Sequence, residues 1–202
     1  MKTTFLSLAV AVLANLGWAQ SAPKNELAFE LGGLLSRTRS TTPSIEAGSG
    51  VGFQVNYGRR VFGLGKVALY GEIQFLASPL REVSSVIPTA TRNFASLYIT
   101  PGVRVKFWPA ARVSPYFAIG GGYADYEQST SQIDGKSSSV PRELARGVFD
   151  FGGGVDVQVW RFVALRGEAR DFFTGSPAYG VPAITGGQHN VVATAGFVLR
   201  WH

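Results

Sequence analysis

The sequence predicts an all-β protein, an eight-stranded antiparallel up-and-down barrel that crosses a membrane with its strands. Three observations indicate this fold class. Eight segments alternate apolar residues with polar or small ones, a period of two that is typical of strands and not of helices. The composition favours strands and turns, with 25 glycines and 12% aromatic residues. Long and short links alternate between the segments, as they do in barrels that span a bilayer.

The N-terminal segment predicts export from the cytoplasm. Lys2 is followed by an apolar run over residues 5–16, and small residues stand at positions 17 and 19, where a signal peptidase reads them. An uncleaved membrane anchor is the alternative, but the run is shorter than the ~20 apolar residues of a transmembrane helix. We therefore expect a cleaved signal peptide at residues 1–19 and one barrel domain over residues 20–202.

Charge and composition exclude several classes of protein. The formal net charge is +6, but the basic residues are scattered, so nucleic-acid binding is not expected of this exported chain. The absence of cysteine excludes disulfides and thiolate metal sites. After the N-terminal run, no segment of the sequence is long and apolar enough for a membrane helix.

Each predicted strand is defined by its apolar row. In chain order these rows run over residues 27–35, 51–57, 67–75, 97–107, 117–123, 149–159, 163–169 and 191–201. Most of the segments reach the ~9–11 residues that a tilted strand needs to cross a bilayer. The fourth strand, about residues 93–108, is the longest. It contains Pro101, whose missing amide hydrogen suggests a bulge.

The links between the strands predict how the barrel is oriented. The long links are residues 36–49, 77–92, 127–145 and 174–188, and the short ones are residues 59–66, 109–115 and 160–162. In transmembrane barrels the long loops are extracellular and the short turns periplasmic, and an even number of strands places both termini in the periplasm. The sheet must close, because lipid offers no hydrogen bonds to a free edge.

Charged residues stand on the rows opposite the apolar ones. Five are acidic and five are basic: Glu30, Glu72, Asp150, Asp156, Glu168, Arg104, Lys106, Arg166, Arg170 and Arg200. If the apolar rows face lipid, these charges lie inside a barrel that is only wide enough for side chains to fill. Buried charges need partners, so we expect a salt-bridged interior network. The alternative is a secreted barrel of the lipocalin type, with apolar rows around a ligand and charges in water.

Aromatic residues near the short turns favour the membrane alternative. They resemble the interfacial girdle of a transmembrane barrel. The members of this predicted girdle are Tyr57, Phe62, Phe107, Trp108, Tyr116, Trp160, Phe162 and Trp201.

The last strand, residues 189–201, carries a pattern of its own. A polar residue, a glycine, an apolar residue and an aromatic residue stand in register at Thr194, Gly196, Leu199 and Trp201. This pattern resembles the recognition strand of bacterial outer-membrane β-barrels, although His202 follows where many such chains stop on the aromatic residue. We expect these four residues to act as an assembly signal.

The whole mature chain resembles the small eight-stranded outer-membrane proteins of the OmpA/OmpX type. Besides the features above, the resemblance rests on Ser114-Pro115-Tyr116 leading into Gly120–Gly122, and on residues 165–170. It implies the outer membrane of a Gram-negative cell envelope, insertion by the barrel-assembly machinery, and contact with outer-membrane lipid and lipopolysaccharide. The sequence ends with strand eight, so we expect no peptidoglycan-binding domain, and we expect a monomer.

Catalytic and ligand-binding chemistry is not predicted. The glycine runs 120–122 and 152–154 lack the spacing of a phosphate-binding loop, and the two histidines do not make a convincing metal site. Some barrels of this size modify lipid A with a His–Ser pair and a carboxylate. His189 has no serine two residues away in its strand, and a nucleophile needs its base within hydrogen-bond reach. We expect no enzyme, no cofactor and no metal.

Two functions remain open. The first is a structural or interaction protein, a plugged barrel that displays four loops to a partner that the sequence does not name. The second is a small porin-like pore for ions or small solutes, lined by Arg104, Arg166 and Arg170. The predicted loops contain Arg37, Arg39, Arg81 and Arg142. These arginines could bind anionic lipid sugars; the alternative is that the loops are simply solvated.

Overall fold

A computed structural model describes residues 22–36, 45–138, 141–175, 179 and 187–202. The predicted signal peptide, residues 1–19, lies outside the described residues. Nine strands are present in the described part of the chain: β1 Asn25–Ser36, β2 Ile45–Ala47, β3 Gly50–Leu64, β4 Val67–Ser85, β5 Asn93–Phe107, β6 Val113–Gln128, β7 Glu143–Trp160, β8 Val163–Gly175 and β9 Gly187–Trp201.

Eight of these strands form a closed antiparallel ring, and the predicted fold class is confirmed. Each long strand pairs with the next long strand in the chain, and β9 pairs with β1 from Asn25↔Trp201 to Ser36↔Asn190. This last pairing removes both edges of the sheet, so every long strand has two partners. We call the end with the links β3–β4, β5–β6 and β7–β8 the short-turn end, and the opposite end the loop end. Among the described residues, no helix is long and apolar enough to span a membrane.

The strands run further into the loop end than the sequence predicted. β4 continues to Ser85 through a register shift between Ser78 and Arg81, which accommodates Pro79. The short strand β2 pairs with this extension, inside a segment predicted as a loop.

The prediction of a bulge at Pro101 is wrong. The pairs Ile99↔Tyr123 and Gly102↔Gly120 keep one register on both sides of the proline. The missing amide hydrogen interrupts the β5–β6 pairing at that point without inserting an extra residue.

The two faces of the sheet have opposite character. Outward residues are large and apolar, such as Phe117, which is 68% exposed, whereas the inward rows are buried and mostly polar or charged. β9 shows the alternation along one strand, with Val191 and Phe197 exposed and Asn190 and Arg200 buried. The lipocalin-type alternative is therefore wrong, because it requires the apolar rows to face inward.

Candidate functional site in the barrel interior

Two carboxylates hold a group of cations inside the short-turn end. The Lys106 ammonium lies 2.5 Å from Glu26 Oε1 and 2.5 Å from Asp156 Oδ2. Arg166 donates to both oxygens of Asp156, at 2.7 and 3.0 Å, and Arg200 donates to Asp156 Oδ2 at 2.7 Å. These side chains come from five different strands, so the ion pairs tie opposite walls of the barrel together.

A second group of charges fills the middle of the barrel around one arginine. Arg170 lies 2.7 Å from Glu72 Oε1, 2.8 Å from Asp150 Oδ2 and 2.8 Å from Glu168 Oε1. Arg104 connects the two groups, since it lies 3.1 Å from Glu26 and 3.5 Å from Glu72.

Neutral side chains donate hydrogen bonds to further oxygens of the buried carboxylates. Tyr116 and Gln54 each donate to Glu168 at 2.5 Å, and Thr194 donates to Glu30 at 2.8 Å. Bonds of this kind matter because a buried carboxylate without partners is costly.

All ten charged residues predicted for the interior lie there, each at most 5% exposed. The predicted interior network did not include Glu26, which contacts Arg104, Lys106, Arg166 and Arg200. It stands one residue before the first apolar row, at the even spacing from Glu30 that places both on one face of β1. This spacing from Glu30 could have indicated from the sequence that Glu26 faces the interior.

Glycines on the inward rows provide space for the long side chains. A Cβ added at Gly152 would lie 2.7 Å from Arg170 Cγ, and one added at Gly58 would meet the Arg104 guanidinium. A larger residue at Gly58 would displace the Arg104 guanidinium, whereas one at Gly152 would also clash with the Ala169 carbonyl oxygen of the neighbouring strand.

An apolar and aromatic layer closes the interior towards the loop end. This layer was not predicted from the sequence. Tyr98 contacts Tyr126 and Phe172 at ring-centroid distances of 6.0 and 5.3 Å, and Phe94 contacts Tyr179 at 5.3 Å. Together with these rings, the aromatic layer comprises Leu34, Leu76 and Val192. Except for Tyr179, which lies outside the strands, these residues stand on the inward rows and break the apolar-out pattern.

Arg81 lies in the interior of the barrel, so its predicted place in a loop is wrong. It is 1% exposed, donates to the Gly48 carbonyl at 3.1 Å and to Asn190 Oδ1 at 3.3 Å, and lies 4.8 Å from the centre of the Phe94 ring. The register shift in β4 explains the difference, because it turns Arg81 to the inner face after Pro79.

The predicted aromatic girdle is wrong at Tyr116, which is 2% exposed. This residue shares the inward row of β6 with buried Ser114 and Ala118, and the Arg104 and Arg166 guanidinium carbons lie 5.2 and 4.9 Å from its ring centre. Six other members lie on or beside the strand ends at the short-turn end: Phe107 is half-buried, and Phe62, Trp108, Trp160, Phe162 and Trp201 are exposed. Tyr57 is exposed in the middle of β3, and its ring lies 6.4 Å from that of Trp201.

The four residues of the predicted assembly signal lie where β9 meets β1. Thr194 is buried and faces the interior, while Leu199 and Trp201 are exposed on the outer wall. Gly196 pairs with Glu30, and a Cβ there would clash with the Phe29 carbonyl oxygen. The close approach of the two closing strands therefore requires glycine.

On the outer wall, His189 Nδ1 lies 2.6 Å from Asp171 Oδ2. The described residues include no group of three or more His, Cys, Asp or Glu side chains that could hold a metal ion.

Solved structures share this architecture. The structure of Neisserial surface protein A matches 90% of this chain and 100% of its own, with a TM-score of 0.60 and 13% identity. The outer membrane protein OprG from Pseudomonas aeruginosa matches 91% of this chain and 98% of its own, with a TM-score of 0.51 and 10% identity. The chain has the fold of these small eight-stranded outer-membrane barrels. The outer membrane enzyme PagL matches with a TM-score of 0.47 and 13% identity. No family model matches the sequence, and no curated protein matches it.

Proposed function

We propose that this protein spans the bacterial outer membrane as a plugged barrel with a structural or interaction role. The outer wall carries this proposal. Its exposed apolar side chains come from every long strand, for example Phe53, Ile73 and Leu165, and form a surface far larger than a soluble monomer exposes. A closed barrel with such a wall satisfies its backbone hydrogen bonds internally, as a bilayer requires.

The filled interior favours a plug over a pore. The arginines that a pore would present to ions are bound to carboxylates, and the aromatic layer lies across the path towards the loop end. The function would then reside in the four loops, which face the cell exterior in this proposal. We infer no catalytic activity, because the charged residues in the middle and the short-turn end of the barrel are bound to one another and the layer above them is largely apolar and aromatic.

The same proposal assigns the environment of the protein. Outer-membrane lipid and lipopolysaccharide would surround the apolar wall, and the barrel-assembly machinery would recognise Thr194, Gly196, Leu199 and Trp201 on β9. Both termini would be periplasmic, and closure of the ring within one chain favours a monomer.

Epitope insertion at the two ends of the barrel tests location and orientation together. One tag is inserted at Gly135, in the exposed link between β6 and β7, and a matched tag at Gly65, in the turn between β3 and β4. We expect antibody to label the Gly135 tag on intact cells and the Gly65 tag only after the outer membrane is permeabilised. The reverse pattern would contradict the orientation, and recovery of the protein in the soluble fraction would contradict the membrane location.

A further inference from the structure

Exposed charge is distributed unequally between the two ends of the barrel. The short-turn end carries cations that have no carboxylate partner among the described residues: Lys24, Arg59, Arg60, Lys66, Arg112 and Arg161. No Asp or Glu side chain of the described residues is exposed at that end. At the loop end, by contrast, Lys136 pairs with Asp134 and Arg142 pairs with Glu127.

Two of the unpaired cations line a cavity of about 580 Å³ at the short-turn end. Lys24 and Arg60 stand on neighbouring chain segments, which the bond from the Arg60 amide to the Lys24 carbonyl holds together at 2.7 Å. Pro109, from the next short turn, lines the cavity as well. The volume is in the range of small-molecule sites.

An apolar lip borders the same cavity on the outer wall. The register shift between Arg60 and Phe62 leaves two consecutive apolar side chains exposed, Val61 at 64% and Phe62 at 61%. Both line the cavity, and so does Val67, which begins the next strand. The cations therefore sit directly beside the apolar wall of the barrel.

We propose that this cavity binds the anionic headgroup of a phospholipid in the inner leaflet of the outer membrane, with Lys24 and Arg60 on the phosphate. The site rests on the proposed function, because the short-turn end reaches that leaflet only if the barrel spans the outer membrane. Two cations without a carboxylate partner in the described part of the chain match a phosphate, and the lip of Val61 and Phe62 matches the acyl chains attached to it. A sugar polymer would use the cations but not the lip.

Native mass spectrometry of the detergent-purified protein tests this site. Phosphatidylglycerol and phosphatidylcholine are titrated separately into the wild type, into Lys24→Ser/Arg60→Gln, and into Arg112→Gln/Arg161→Gln. The last variant removes the same charge from the same end but outside the cavity. A cation near a lipid surface contributes roughly 5-fold in affinity, so the cavity pair is worth about 30-fold. We expect phosphatidylglycerol to bind the wild type and the control variant about 30-fold more tightly than phosphatidylcholine, and the cavity variant to lose that preference.

Several results would overturn the site. Equal binding of the two lipids by the wild type would remove the headgroup preference, and equal losses in both variants would mean diffuse attraction to a basic surface. Competition by glycerol 3-phosphate at the same concentration as the lipid would mean that the apolar lip contributes nothing. Protein that inserts into vesicles without lipid preference disproves the site alone, whereas protein that never inserts disproves the proposed function.

Discussion

Replacing Asp156 by Asn tests the interior charge network most sharply. The substitution keeps the size of the side chain but removes a charge that lies within 2.7 Å of Lys106, Arg166 and Arg200. Those cations would then depend on Glu26, which is also shared with Arg104. Removing one partner of a buried ion pair costs about 3–5 kcal/mol, because the other charge stays buried without compensation. We expect Asp156→Asn to lower the free energy of unfolding by that amount.

Glu30→Gln is the matched control, since it also neutralises a buried inward carboxylate. Among the described residues Glu30 pairs only with Arg166, at 3.9 Å, and the hydrogen bond from Thr194 can be kept by the amide oxygen of glutamine. We expect a change within about 1 kcal/mol for this variant. Urea unfolding in lipid vesicles, followed by tryptophan fluorescence, measures both. Equal losses in the two variants would refute the assignment of the network to specific ion pairs.

Three further variants, one of them with a matched control, test other parts of the structure. Gly196→Ala should reduce the yield of folded barrel on refolding, because the added Cβ clashes with a backbone carbonyl of β1. Gly167→Ala is the control and should fold as the wild type does, because its Cβ meets nothing within 4 Å. Equal yields of the two variants would contradict the steric requirement for glycine at position 196. Tyr116→Phe should cost about 1–3 kcal/mol in urea unfolding, because Glu168 loses a buried donor, and no loss would contradict that role. Arg166→Ala with Arg170→Ala should destabilise the barrel strongly; unchanged stability and conductance would contradict both the plug and the pore.

The strands and their faces could be predicted because period two is a local property of the sequence. In β9 every second residue faces out, so the alternation along the strand indicated the side of each side chain, even for Val192 and Val198, which are apolar and face in. The fold class and the inward position of the ten charges follow from that rule together with the cost of burying charge.

The errors occur where a local pattern does not determine the face. Tyr116 follows the turn after β5, and its aromatic ring suits either the membrane interface or the interior; its row on β6 decides. Arg81 was misplaced because a register shift cannot be read from residue types. The partners of each charge also required the structure, since Glu26 and Lys106 stand 80 residues apart in the chain.

Single-channel recording of the wild-type protein in a planar bilayer tests the central proposal most directly. Insertion is verified independently, for example by protease protection of the same preparation. A plugged barrel predicts inserted protein without discrete current steps, because the aromatic layer and the ion pairs fill the interior. Reproducible steps of defined size would contradict the plug and would identify the barrel as a pore.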